Sequence, residues 1–150
     1  MTNLHDIKAR VGTVIGVSDW VEISQQRIDA FADVTEDWQP IHLDPAVGQA
    51  AGFGGTVAHG FLTLSMLSAM SYQVLEQMED ESASLNYGFD RIRFIAPVAG
   101  GARLRGHFTL ADVTERGDNG AMLRFDVTVE AEGVKKPALT ADWLCLYLFN

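Results

Sequence analysis

Residues 59–78 predict a helix that is apolar on almost every side, and this segment limits the possible folds more than any other. It reads HGFLTLSMLSAMSYQVLEQM, with large apolar residues around most of the helical circumference. A helix of this kind is stable in water only when other elements cover nearly all of its surface. The rest of the chain therefore has to enclose it. The apolar residues are Phe61, Leu62, Leu64, Met66, Leu67, Met70, Val74, Leu75 and Met78.

The second half of the chain has the period-two alternation of β-strands. In RLRGHFTLADV, which starts at Arg103, and in MLRFDVTVEAE, which starts at Met122, large apolar residues alternate with polar ones. This alternation predicts strands with one face on a core and the other face in water. Between them, RGDNG (residues 116–120) contains the Asp, Asn and Gly residues that favour a hairpin turn.

Further strands are predicted on both sides of this hairpin. EGVKKP forms the next turn, and ALTADWLCLYLF (residues 138–149) forms the last strand. An earlier strand covers about residues 86–95 and ends before Ala96-Pro97. VGTVIGVSDWVEIS (residues 11–24) has the pattern of another strand or a pair of strands. The sequence therefore predicts a sheet of five or six antiparallel strands.

Two helices are predicted before the apolar segment. Ser24 is a suitable N-cap for QQRIDAFADV, whose apolar residues have helical spacing. Asp44 followed by Pro45 predicts the start of a second, short helix, because proline at the first helical position loses no hydrogen bond. Gly52–Gly55 ends that helix.

One long helix enclosed by one curled antiparallel sheet is the hot dog architecture. We therefore predict a single α+β domain over residues 1–150, with a five- to six-stranded antiparallel sheet wrapped around a long central helix. The same elements are also compatible with a generic α+β sandwich. A chain of 150 residues has the usual size of one domain.

The charge and hydropathy of the chain exclude several classes of partner. A formal net charge of −9 argues against nucleic acid, because phosphate contacts require clustered Lys and Arg. No apolar run of about 18 residues is present, so we expect no membrane span. The N-terminal MTNLHDIKARVG has no apolar core behind a basic start, so we also expect no signal peptide.

The chain contains a single cysteine, Cys145, in the apolar run WLCLYLF. One cysteine cannot form an internal disulfide, and low cysteine content is typical of proteins from a reducing compartment. An apolar run of this kind predicts a buried, unreactive thiol rather than a nucleophile. We therefore expect a cytoplasmic protein.

The stretch TEDWQPIHLDP (residues 35–45) concentrates polar chemistry in a short, stiffened loop. Asp37 and His42 are five positions apart, and Pro40 between them fixes one φ angle and limits how far their separation can vary. An acid and an imidazole held in this way can bind one water molecule and transfer its protons. On residue chemistry alone, a turn aspartate and a hydrogen-bonded loop histidine are the simpler interpretation. Asp44 is better explained as a helix N-cap.

Two motifs in this region resemble those of the MaoC-like hydratases, which include (R)-specific enoyl-CoA hydratases and a nodulation-protein-N-like group. The family loop, roughly Asp-x-Asn-Pro-hydrophobic-His, stands here as DWQPIH from Asp37 to His42. The second family element stands as VAHG, residues 57–60, at the start of the apolar helix. The sequence departs from the pattern at Gln39, where the family usually has Asn, and at Glu36, where Gly is frequent.

The resemblance implies reversible addition of water to a trans-2-enoyl-CoA, giving an (R)-3-hydroxyacyl-CoA. It implies that Asp37 and His42 form the catalytic dyad and that the Gly60 amide binds the thioester oxygen. It also implies that Ser68 helps to order the site. His59 is expected to fix the loop by hydrogen bonds, with contact to the substrate as the alternative. No cofactor and no metal are implied.

Arg91 and Arg93 share one parity of a predicted strand, and two arginines on one face can bind the phosphates of coenzyme A. Solvated strand faces have the same pattern, so this is the weakest of the site predictions. For the whole molecule we expect a homodimer or a dimer of dimers. A single hot dog sheet leaves an open edge strand, which is usually paired or covered, and the family joins two sheets.

Three alternative functions use the same fold. The first is the same reaction on an acyl-carrier-protein thioester. The second is thioester hydrolysis, which hot dog thioesterases perform with a carboxylate on the central helix, whereas residues 60–75 contain no acid before Glu76. The third is a non-catalytic acyl-thioester-binding subunit of a heterodimer. Retention of both Asp37 and His42 favours an active enzyme.

Overall fold

The computed structural model describes residues 1–150 and contains five helices and six strands. In chain order these are α1 (Leu4–Lys8), β1 (Val14–Val17), β2 (Val21–Glu22), α2 (Gln25–Thr35), α3 (Pro40–Leu43), α4 (Pro45–Ala50), α5 (Gly60–Ser71), β3 (Glu81–Phe94), β4 (Arg103–Glu115), β5 (Gly120–Ala131) and β6 (Leu139–Phe149). The α+β class is therefore confirmed.

All six strands belong to one antiparallel sheet with the order β1-β4-β5-β6-β3, and β2 also pairs with β4. The β4–β5 hairpin forms where the sequence predicts it, and Gly117 in its turn has a φ of +63°. Only glycine adopts such a positive φ without a steric penalty. The predicted sheet of five or six strands is confirmed, with six.

Helix α5 packs on the inner face of the sheet, which is the face that carries Phe108, Phe125 and Trp143. The side chains of Leu67 and Met70 are almost completely buried in this core. Alternation along β6 places Trp143, Cys145 and other buried residues on the same inner face. Cys145 is buried as predicted, and this burial raises the pKa of its thiol to about 12. The core is thus formed between one helix and one sheet.

Helix α5 is shorter than the sequence predicts. It ends at Ser71. Val74 and Leu75 lie in the turn and bend that follow, and Met78 forms an isolated bridge with Thr2. These side chains are still buried or partly buried against the core. The apolar pattern therefore reported burial correctly, but burial continues beyond the point where the helical hydrogen bonds stop.

Strand β3 begins at Glu81, earlier than the predicted start at residue 86. Its first residues pair with the end of β6, with Glu81 opposite Phe149. The segment ESASL has no clear strand pattern of its own, so pairing with β6 determines its conformation.

One side of α5 is open to solvent in the single chain. Phe61 at the start of the helix is 70% exposed, and Tyr72 just after its end is 73% exposed. The expectation that the chain itself covers the helix on nearly all sides is therefore wrong. Next to this face, β3 lies at the edge of the sheet with Leu85 and Tyr87 exposed. None of the helices has the length and apolar character needed to cross a membrane.

Candidate active site

The end of α2 directs the chain into the candidate site. Ser24 caps the helix start as predicted, since its hydroxyl accepts the N–H of Arg27 at 3.1 Å. After Thr35, Glu36 adopts a left-handed conformation with a φ of +60°. The N–H groups of Glu36 and Asp37 both donate to the carbonyl of Ala32, which closes the helix. Asp37 therefore leaves α2 in a defined direction.

The segment after Asp37 is a short helical turn, α3, rather than an extended loop. Pro40 occupies its first turn, and His42 lies in the same turn with its side chain buried. The side chain of Gln39 makes no hydrogen bond, so the longer amide found at this position has no loop contact to rearrange. Asp44 caps α4 as predicted, because its carboxylate accepts the N–H of Ala46 at 2.9 Å.

The turn brings three side chains together. A carboxylate oxygen of Asp37 and ring nitrogens of His42 and His59 lie within 4.8 Å of one another. Asp37 is exposed, whereas both histidines are buried. The two imidazole rings stack with their centroids 3.7 Å apart. The site therefore places an ionisable carboxylate at the surface, directly in front of a buried imidazole pair.

A backbone carbonyl fixes the hydrogen position on His42. Nδ1 of His42 lies 2.6 Å from the carbonyl oxygen of Val57. A carbonyl oxygen only accepts hydrogen bonds, so Nδ1 carries the hydrogen. In the neutral ring, Nε2 then has a free lone pair and acts as an acceptor or base. This is the tautomer needed to take a proton from water.

His59 holds the other end of the same turn. Its Nε2 lies 2.9 Å from the backbone carbonyl of Asp37, to which it donates. Its ring packs against Phe31 at a centroid distance of 5.0 Å. These contacts connect the start of α5 to the end of α2, which is the loop-fixing arrangement that the sequence predicts for this histidine. Its Nδ1 is buried without a hydrogen-bond partner.

Gly60 begins α5 beside this cluster. The first N–H groups of a helix have no intrahelical acceptor, and the helix dipole favours negative charge at that end. A Cβ atom at Gly60 would lie 3.1 Å from the ring of Phe94, so a larger residue would displace that ring. The glycine thus leaves the amide accessible between the loop and β3.

Gln25 braces His42 from α2, and sequence reasoning does not identify it. Its amide N–H donates to the backbone carbonyl of His42 at 2.8 Å, and a second bond from the same nitrogen goes to Asp29. Its amide oxygen accepts the hydroxyl of Thr56 at 2.6 Å. Gln25 lies 17 positions from His42 and 31 positions from Thr56 in the chain, so no local pattern could indicate these contacts.

The structure does not bring Ser68 to the dyad within one chain. Ser68 lies two turns beyond Gly60, about 12 Å along the axis of α5. Its hydroxyl is 3.4 Å from the amide nitrogen of Asn86 on β3. Ser65, by contrast, donates to the carbonyl of Phe61 in its own helix at 2.7 Å. Ser68 thus lies on the side of α5 that faces β3.

The two arginines proposed for coenzyme A also lie apart from the cluster. Arg91 lines a groove with Asp126 and Asp142, on the side of the sheet away from α5. The guanidinium of Arg93 donates to the carbonyl of its neighbour Ile92 at 2.8 Å. Neither arginine contacts a residue of the dyad.

A six-stranded antiparallel sheet packed on one apolar helix defines a hot dog domain. The family model described as MaoC like domain matches residues 6–132. The chain therefore belongs to the MaoC-like dehydratase family, as its two sequence motifs predict.

Similar proteins agree with this assignment. The chain is 44% identical over 149 residues to Nodulation protein N of Rhizobium leguminosarum bv. viciae, covering 99% of this chain and 92% of the relative. It is 39% identical over 146 residues to 3-hydroxyacyl-thioester dehydratase Z of Mycobacterium tuberculosis (strain CDC 1551 / Oshkosh), covering 97% and 96%. The R-hydratase PhaJ1 of Pseudomonas aeruginosa superposes with a TM-score of 0.74 at 23% identity, covering 93% of this chain and 83% of that one. This last likeness concerns the fold alone.

Proposed function

We propose that the protein is a hydro-lyase that adds water reversibly to trans-2-enoyl-CoA and gives (R)-3-hydroxyacyl-CoA. The observation that carries this proposal is the approach of the Asp37 carboxylate to the imidazole of His42, whose Nδ1 is bound to the Val57 carbonyl. The name of the relative 3-hydroxyacyl-thioester dehydratase Z supports the same class of reaction.

The dyad provides both proton-transfer steps. A water molecule that donates one hydrogen to Asp37 and the other to Nε2 of His42 keeps a lone pair free to attack C3 of the substrate. One of the two groups takes a proton from this water as the C3–O bond forms, and the dyad then delivers a proton to C2. Because both groups lie on the same side of the substrate, hydroxyl and hydrogen are added to one face.

The start of α5 stabilises the charge that develops during this attack. As the C3–O bond forms, electron density moves to the thioester oxygen, and the resulting enolate needs a hydrogen-bond donor. The amide of Gly60 is such a donor, at the positive end of a helix dipole. This chemistry requires a base, an acid and an enolate donor, all supplied by the chain, so treatment with a chelator should leave turnover unchanged.

The proposal is tested by measuring hydration of enoyl thioesters, on coenzyme A and on acyl carrier protein, by the loss of conjugated enoyl absorbance. Asp37→Asn removes the charge and His42→Ala removes the imidazole, so each should lower kcat at least about 10²-fold. Ser68→Ala should cost less than either, since it removes one neutral hydrogen bond.

The double variant and the product provide the controls. Two residues that act on one water work as a unit, so the double variant should lose far less than the product of the two single losses. Thermal melts should show that every variant remains folded. An (S)-3-hydroxyacyl product, or a folded Asp37→Asn protein with near-normal turnover, would falsify the mechanism. Faster turnover on acyl carrier protein would change the assigned carrier, not the chemistry.

A further inference from the structure

Three spaces lie along α5, and the space at the start of the helix contains the Gly60 amide. A cavity of about 370 Å³ lies at the end of the helix, and a groove of about 190 Å³ lies beside its middle. The third space, of about 260 Å³, is lined by Gly60, Thr63, residues 94–98 and two alanines, and we name it the Gly60 space. Thr63 is its only polar side chain. In ligand pockets, a few polar groups in an apolar wall orient the ligand.

The hydroxyl of Thr63 has no hydrogen-bond partner in the protein, unlike three other hydroxyls in the helices. Thr35, Ser65 and Ser71 each donate to a carbonyl three or four positions earlier in the chain. Such a bond is the usual arrangement for a hydroxyl inside a helix. Thr63 makes none, although the residue is only 3% exposed. Buried hydroxyls are nearly always paired, so this exception needs an explanation.

The oxygen of Thr63 is accessible to a ligand. Two unpaired side-chain atoms are shut off from solvent, Nδ1 of His59 and the indole nitrogen of Trp143. The Thr63 oxygen is not one of them, so the small exposed surface of this residue includes its hydroxyl. Because Thr63 lines the Gly60 space, a ligand atom in that space can reach this hydroxyl.

Helix geometry directs the hydroxyl toward the Gly60 amide. Residues three apart are neighbours on one face of a helix, and Thr63 lies about 4.5 Å beyond Gly60 along the axis. Helical side chains lean toward the N-terminus, which brings the hydroxyl back over the first turn. The N–H of Gly60 stands at that end and has no acceptor in the protein. Two free donors therefore face the same space.

This pair of donors selects an acceptor oxygen as the ligand atom. A carbonyl oxygen has two lone pairs and accepts two hydrogen bonds of about 2.9 Å each. The wall has no charged side chain to pair with a permanent ion, whereas fixed donors in an apolar wall stabilise charge that develops during a reaction. His59, directly before Gly60, stacks on His42 of the dyad. The group that fits is thus the thioester carbonyl of the substrate.

We infer that Thr63 is a second donor to the thioester oxygen, together with the amide of Gly60. This inference rests on the proposed function and adds a catalytic residue to it. As the water oxygen bonds to C3, the π electrons of the C2–C3 double bond move toward the carbonyl, and its oxygen gains negative charge. The two hydrogen bonds stabilise this charge until C2 takes a proton and the carbonyl forms again. Thr63 keeps its own proton throughout.

Hydration of a short enoyl-CoA by matched variants tests the inference. Removal of one oxyanion donor costs about 10²–10³-fold in kcat, so Thr63→Val, which keeps the shape and the Gly60 donor, should lower kcat at least about ten-fold. KM should change little, because the lost interaction belongs to the transition state. Thr63→Ser keeps the hydroxyl and should keep most of the activity. Thr128→Val makes the same change on the side of the sheet away from α5 and should have no effect.

Two further measurements separate a catalytic role from a structural one. The Thr63 hydroxyl has no partner in the folded chain, so Thr63→Val should not lower the melting temperature. A bound saturated acyl-CoA, isotopically labelled at the thioester carbonyl, reports hydrogen bonds to that oxygen by infrared difference spectroscopy without turnover. Its carbonyl band should lie at higher frequency in Thr63→Val and stay in place in Thr128→Val. If Thr63→Val does not fold, comparison of Thr63→Ala with Thr63→Ser isolates the hydroxyl.

Unchanged kcat in Thr63→Val, or an unmoved carbonyl band, would overturn the inference and leave the proposed function intact. A raised KM at unchanged kcat would also overturn it, by assigning the hydroxyl to the coenzyme A arm of the substrate. An equal loss of kcat in Thr63→Ser would overturn it by assigning the effect to packing. Absence of hydration by the unmodified protein would instead overturn the proposed function and the inference with it.

Discussion

At the scale of single residues, the position of His42 depends on Gln25. Gln25 donates to the backbone carbonyl of His42 and is itself held by the hydroxyl of Thr56. Gln25→Ala removes both of these bonds, together with the bond to Asp29, and should lower kcat about three- to ten-fold, the equivalent of one or two neutral hydrogen bonds. KM should change little, because Gln25 lines none of the three spaces along α5. Steady-state kinetics on a short enoyl-CoA measures both constants.

Two further variants separate positioning from folding. Gln25→Glu keeps the acceptor for Thr56 but places a carboxylate oxygen against the carbonyl of His42, so it should lose more kcat than Gln25→Ala. Gln26→Ala changes the exposed neighbour and should have no effect. Equal losses for Gln25→Ala and Gln26→Ala would show that Gln25 does not position His42.

Glu36 carries a local strain next to the dyad. A non-glycine residue in the left-handed region costs about 1–2 kcal/mol, and Glu36 has a φ of +60° there. Glu36→Gly should therefore raise the free energy of unfolding by roughly 0.5–1 kcal/mol, after the greater entropy of glycine in the unfolded chain is included. Denaturant melts measure the change. Thr35→Gly, inside the same helix, should instead destabilise the protein.

The sequence could identify the groups that we propose for catalysis, but not the groups that hold them in place. Asp37 and His42 stand in a short motif whose spacing is visible in the chain. Gln25 and Val57 reach His42 only through the tertiary fold, and carbonyl groups leave no trace in a sequence. The same holds for Trp143, whose unpaired N–H is evident only once its neighbours are placed.

At the scale of elements, the strands of the second half were predictable because each has one solvent-exposed face and one buried face. The end of α5 and the start of β3 could not be predicted in this way. Apolar residues continue from α5 into the following turns, and the polar start of β3 becomes a strand only through its pairing with β6. Hydrophobic periodicity reports which side chains are buried, and the backbone conformation is set partly by distant partners.

The β5–β6 pair carries two facing carboxylates on its outer surface. Asp126 on β5 is registered opposite Asp142 on β6. Loss of water contact and then the nearby Asp142 carboxylate raise the pKa of Asp126. The folded chain thus holds this proton more tightly than the unfolded chain. Protonation of Asp126 therefore contributes to stability below the ordinary Asp pKa of about 4. This contribution is lost as the pH rises through the raised pKa of Asp126 in the folded chain.

Asp126→Asn should remove this repulsion. We expect the free energy of unfolding at neutral pH to rise by roughly 0.2–1 kcal/mol, the range of one cross-strand pair. The gain should vanish below about pH 4, where Asp126 is protonated in both states. Urea melts at acidic and neutral pH provide the comparison. Asp19→Asn, an exposed aspartate without a carboxylate neighbour in contact, is the control; an equal gain there would indicate a general charge effect.

At the scale of the whole molecule, the open face of α5 and the free edge of β3 predict a homodimer or a dimer of dimers. Phe61, Tyr72 and Tyr87 are each at least 60% exposed in the single chain. A long exposed edge strand is a site for pairing with another chain. Sedimentation at micromolar concentration should therefore show no stable monomer, and mixed-chain pull-down should show whether a second type of subunit can replace the first.

A charge on the edge should break this assembly. Tyr87→Lys places an ammonium group on β3, and lysine on an edge strand opposes pairing. This variant should sediment as a monomer at concentrations where the unmodified protein is dimeric. Val34→Lys introduces the same charge on α2, at a residue that is 80% exposed, and should leave the dimer intact. Unchanged assembly in the Tyr87→Lys protein would place the interface elsewhere.

The alkylation rate of the buried Cys145 thiol measures how often the folded chain opens locally. The side chain is 4% exposed and its pKa is raised to about 12, so almost no reactive thiolate meets the solvent in the closed protein. Alkylation therefore proceeds through molecules in which β6 has briefly separated from its neighbours, and its rate counts those openings. Cys145 also lies in the wall of a cavity of about 370 Å³ between the end of α5 and strands β3 and β6. A molecule bound in that cavity would slow the alkylation of Cys145 in proportion to its occupancy, without any catalytic turnover.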